Sequence, residues 1–90
     1  MDDYIAYNNY PIEPMYTLFL HHNEYLNSDP EVSVPFLPSR NDWMDIPVDV
    51  RQNFWPGCSE TLVVIEREHL FDERMQFYGT RIYLQDWEGK

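Results

Sequence analysis

Leu62-Val63-Val64-Ile65, entered through Thr61, sets four apolar residues in succession, and three of them are β-branched. Such a run suits a strand covered on both faces. A chain of 90 residues builds one modest core, so everything else that folds shares that strand's core. Gly79 marks a break, and Thr80 to Asp86 reads as a second strand with Ile82 and Leu84 on one face. Between the two, Glu68 to Tyr78 fits either of two forms. One is a helix with Leu70, Phe71, Met75 and Tyr78 on one side, the other a loop into the last strand.

The first half of the chain is cut up by proline. Residues 13–27 read as a helix: Pro14 suits the first helical position, and Met15, Leu18, Phe19, His22 and Leu26 follow one helical face. Tyr16, Thr17 and Phe19 also favour a strand over 15–20. Asn27-Ser28-Asp29-Pro30 ends either element. Pro30, Pro35 and Pro38 then bracket the alternating Val32, Val34 and Phe36, which makes 29–39 a connector or an edge strand. Ser39-Arg40-Asn41-Asp42 has the form of a capping box, with a short turn expected through Trp43 and Met44. Residues 47–54 read as a second helix, started by Pro47 and closed by Trp55-Pro56-Gly57. The expected fold is α+β in a single domain over 1–90. A small sheet with strands near 61–66 and 80–86 packs against two helices near 13–27 and 47–54.

Charge is unevenly placed. The formal net charge is −10, yet residues 1–39 hold six acids and no Lys or Arg, and so carry −6 of it. The same stretch has five of the seven tyrosines. Residues 1–12 carry Tyr4, Tyr7 and Tyr10 at intervals of three and read as an interaction arm, or as a terminus whose tyrosines pack locally. Direct contact with nucleic acid or an anionic membrane is disfavoured, because phosphate contacts need Lys and Arg. A basic partner is attracted instead. The single cysteine, Cys58, excludes an intrachain disulfide. No apolar run approaches the ~20 residues of a membrane span, and Met1-Asp2-Asp3-Tyr4 has the wrong charge for a signal peptide. These point to a reducing, cytoplasmic setting.

Catalytic signatures are missing. His21-His22-Asn23-Glu24 and Glu66 to Glu73 hold the three histidines among carboxylates, but neither group has the spacing of H-E-x-x-H or paired C-x-x-C. A small metal-dependent or acid–base enzyme would have to bring His21, Glu24 and His69 together. Cys58 lies beside Glu60, which disfavours a thiolate, and no Ser has the G-x-S-x-G context. No cofactor or metal motif is present, and no Gly-rich phosphate loop.

What remains is acid interleaved with aromatics: Asp2, Asp3 and Glu13 around Tyr4, Tyr7 and Tyr10; Asp42 and Asp45 around Trp43; Asp86 and Glu88 around Trp87. Tyr and Trp dominate interface hot spots, and carboxylates bind Arg with charge-assisted hydrogen bonds. Pairs such as Glu66 with Glu68, or Asp86 with Glu88, would line up along a strand about 6.6 Å apart and imitate a phosphate row. The sequence therefore suggests a non-enzymatic, protein-binding inhibitor. It would occlude a basic surface on a larger nucleic-acid-binding enzyme or defence complex. Its expected contacts are Asp2, Asp3, Tyr4, Tyr7, Tyr10, Glu13 and Glu24. In composition and size, though in no motif, the chain resembles the small acidic inhibitors that phages and mobile elements encode. A structural subunit of a larger assembly is a third reading; oligomeric state is open.

Overall fold

The computed structural model describes residues 15–25 and 29–88. Five strands and one helix follow in order: β1 (Tyr16–His22), β2 (Glu31–Val34), β3 (Trp43–Asp45), α1 (Val48–Phe54), β4 (Thr61–Phe71) and β5 (Phe77–Asp86). They form a single mixed sheet in the order β2-β1-β5-β4-β3. Only β1 and β5 run parallel; the other three pairings are antiparallel.

Several expectations are corrected. Residues 13–27 do not supply a helix, since 16–22 is the strand β1 and the remainder lies partly outside the described residues. Leu18 and His22 fit a period of 3.6 and a period of 2 equally well, and Leu20 decides between them. Leu18, Leu20 and His22 are buried in alternation, Met15 is exposed, and Phe19 lies on the other face. The fold is therefore a curled five-stranded half-barrel with one short helix among the described residues. It is not a small sheet packed on two helices. The α1 helix does form, with Pro47 as its N-cap residue. It keeps no fully buried residue, so its hold on the sheet comes through half-buried Val50 and Phe54 and through Trp55 just beyond it. Trp43–Asp45 is a strand rather than a turn, and Ser39–Asp42 is a turn bonded to β4 through Asn41, Asp42 and Val64 rather than a helix cap. The Ser39 N–H donates to Asp42 Oδ2 at 2.7 Å, the Asp42 N–H donates to the Ser39 carbonyl at 3.0 Å, and Asn41 takes φ 77°.

The hairpin of β4 and β5 is the longest element, and Glu68 to Tyr78 belongs to it as strand, turn and strand. Its register slips by one residue between Val64 and Glu66 and slips back between Leu70 and Phe71. Ile65 is the extra residue on β4 and Tyr78 the extra residue on β5. The inner face carries Leu18, Leu20, Leu62, Val64, Ile82 and Leu84, each under 4% exposed, closed over by Ile46 and Trp55. Burying each such side chain contributes about 1.5–3 kcal/mol. Gly79 sits where Phe19 crosses on the outer face. A Cβ there would lie 2.5 Å from the Phe19 ring.

The curl is visible at the open seam. β2 and β3 are the two edges, yet one apolar groove of about 280 Å³ is lined by Val32 and Val34 from β2 and by Met44, Ile46 and Val50 from the other side. In a flat sheet those edges would stand about 19 Å apart, four spacings of about 4.8 Å.

Candidate protein-binding surface

Asp2, Asp3, Tyr4, Tyr7, Tyr10 and Glu13 lie outside the described residues. Glu24 is exposed in the turn after β1. His21, Glu24 and His69 do not come together. His21 is on the outer face, where its Nδ1 meets Asp29 Oδ1 at 3.0 Å. His69 is on the inner side of the hairpin, with Nδ1 3.0 Å from Thr80 Oγ1. Among the described residues no group of three or more His, Cys, Asp or Glu side chains could hold a metal ion. No described helix is long and apolar enough to cross a membrane.

The structure does join two segments that are remote in sequence. Trp43 on β3 and Trp87 just past β5 meet with ring centroids 4.7 Å apart and planes inclined at 42°. The ladder explains the meeting. Trp43 is opposite Val63, and the Trp87 N–H donates to the Thr61 carbonyl, so both side chains reach over β4 from its two flanks on the outer face. Yet the rings stay open to solvent, Trp43 at 64% and Trp87 at 38%. Two large aromatics in tilted contact that both stay exposed make an apolar patch of the kind found at interaction sites. Carboxylates lie near them along the chain, and one shares their face. Asp45 lies opposite Thr61 on the same face as Trp43, and exposed Glu60 and Glu88 adjoin Thr61 and Trp87 in the chain. No ion pair joins Asp42, Asp45, Glu60 or Glu88 to an arginine among the described residues. Beside the tryptophans a groove of about 320 Å³ is lined by Phe36, Pro38 and residues 42–46.

Other polar clusters are internally satisfied. His22 is buried, and its Nδ1 accepts the Glu24 N–H at 3.1 Å, which leaves the ring proton on Nε2 for Asp86 Oδ1 at 2.9 Å. With both nitrogens engaged, His22 has none to offer as a general base. Burial pushes the Asp86 carboxyl up, but hydrogen bonds from His22 and from the Ser59 N–H outweigh it and hold it below the ordinary carboxylate value. Burial, then the Asp86 charge, pushes the Cys58 thiol up, so the thiolate a nucleophile needs is disfavoured. The charge responsible is Asp86, remote in sequence, rather than the neighbouring Glu60.

The expected carboxylate rows are broken up as well. Asp86 turns inward to His22. Glu68 accepts from Arg81 Nη1 at 3.1 Å and from the Tyr83 hydroxyl at 2.8 Å, and Arg81 Nε also donates to Asp29 at 3.1 Å. Glu68 and Asp29 are thus spent on the outer face of the sheet, whereas Asp45 beside the tryptophan pair has no ion pair among the described residues. No protein-family model, no curated protein and no solved structure matches this chain.

Proposed function

We propose that this chain is a non-enzymatic acidic binding protein that masks a basic, nucleic-acid-binding surface of a larger partner. The observation that carries the reading is the solvent-open Trp43–Trp87 pair, with Asp45 on the same face and Glu60 and Glu88 exposed nearby in the chain. Aromatic faces attract guanidinium and ammonium groups, and unpaired carboxylates accept their N–H bonds. Both features ask for the same ligand chemistry. The acids of residues 1–39, among them Asp2, Asp3, Glu13 and Glu24, add to the field that steers a basic partner. A reducing, cytoplasmic setting suits the single thiol, and an origin in a phage or mobile element suits an inhibitor of this size and charge.

The test is affinity capture from native lysate of the source cell, with wild type beside a Trp43→Ala/Asp45→Asn double variant. Wild type is expected to retain one basic protein at low salt and to release it as salt rises, since exposed charges are screened over about 8–10 Å. Adding the chain should then displace nucleic acid from that protein. Equal capture by the double variant, or a saturated complex that still binds nucleic acid, would overturn the reading.

A further inference from the structure

We infer that the surface takes its partner in one particular way: an extended, arginine- or lysine-bearing segment adds to β3 as a sixth strand. This specifies the mode of the binding-protein reading above and rests on it.

β3 is the last strand of the sheet, so one of its sides meets no neighbouring strand among the described residues. The Val64 N–H donates to the Asp42 carbonyl at 2.9 Å. In an antiparallel ladder the next hydrogen-bonded pair is two residues on, which is Met44 with Leu62. Trp43 and Asp45 therefore turn their N–H and C=O groups outward. The groove beside them is lined by every residue from 42 to 46, odd and even alike, and by Phe36 and Pro38 opposite. It thus runs along the strand's edge rather than over one face. A segment seated there would bond to the Trp43 and Asp45 backbone. Its outer-face side chains would emerge beside the Trp43–Trp87 rings and the Asp45 carboxylate, where cations are favoured. Its alternate side chains would point inward beside Met44. Pro47, next in the outward row, has no N–H, so the added strand is short and the side chains supply most of the selectivity.

The opposite edge lacks these features. On β2 the Leu20 N–H donates to the Pro30 carbonyl, so Glu31 and Ser33 face outward. Pro30 and Pro35 close the strand at both ends, in the manner of protected edges. No exposed aromatic pair stands beside it among the described residues.

The probe is an end-capped synthetic peptide of alternating arginine and valine, five residues long, titrated into the full chain. Tryptophan fluorescence and amide NMR follow binding. Two control peptides leave the protein untouched: one N-methylated at every internal amide, one with citrulline for arginine. The parent is expected to bind, to slow hydrogen exchange at the Trp43 and Asp45 amides at least tenfold, and to lose at least tenfold in affinity on N-methylation. An N-methylated peptide that binds within twofold of the parent, while the citrulline peptide does not, overturns strand addition and leaves the acidic aromatic surface standing. Parent and citrulline peptides that bind equally, or neither binding, overturn both. Self-association that protects the same two amides without peptide overturns the proposal in favour of a second copy.

Discussion

The two faces of the same sheet treat tryptophan and carboxylate in opposite ways. Inside, Trp55 is 1% exposed and Asp86 is bonded to His22 and Ser59. Outside, Trp43 is 64% exposed and Asp45 has no ion pair with a described residue. The sheet supplies both environments with the same backbone; only the side of the pleat differs. The buried core lies on the first face, and the exposed aromatic pair with Asp45 on the second.

The sharpest way to break that contrast is to truncate a tryptophan on each. Trp55→Ala should cost about 3–5 kcal/mol, in the range for a large buried aromatic. Trp43→Ala should cost only about 1 kcal/mol, the worth of an aromatic pair. Urea denaturation of both variants measures the difference, and equal losses would mean that Trp43 is a core residue after all.

Acid separates the faces next. Asp86 ionises more readily in the folded chain than the ordinary carboxylate value of about 3.9. Its contribution is therefore complete above that value and is lost as pH falls through it towards the lower folded value. Melting temperature should drop between about pH 5 and pH 3, and Asp86→Asn should flatten that part of the profile while lowering the neutral-pH plateau. The smallest effect belongs to the outer network. Arg81→Met removes bonds to Asp29 and Glu68 and should cost about 1 kcal/mol or less, diminishing with added salt. A larger, salt-independent loss would place Arg81 with the structural residues.

The legible parts of this fold were those whose signal is local. The run Leu62 to Ile65, the strand through Ile82 and Leu84, the helix after Pro47 and the proline-bracketed 29–39 segment each announce themselves within a few residues, although β5 runs on through Gly79, where a break is expected. β1 was obscured because its apolar spacing serves two periods. Its choice of strand is made by pairing with β5, more than half the chain away. The outer half of the β4–β5 hairpin was obscured for another reason. Glu66, Arg67, Glu68 and His69 pass beyond the apolar core, and a bulge interrupts their alternation, so no face stands out in the sequence. The candidate site had a partial signal. Acids around Trp43 and acids around Trp87 were visible as two separate motifs, and their union depends on β4 lying between them. Nor could spacing show that Asp86 turns inward while Glu88 stays exposed.

The paired bulges carry a consequence for how this chain can change length. Removing a residue from a regular strand reverses the sidedness of everything beyond it, exchanging core for surface. Ile65 and Tyr78 are each unmatched across the ladder. Loss of either one would leave the remaining partners opposite each other, with their side chains on the faces they already occupy. The hairpin thus has a dispensable residue on each strand, so a single-codon deletion could pass there without inverting the molecule. At Val63 or Ile82 the same deletion would turn the core outward.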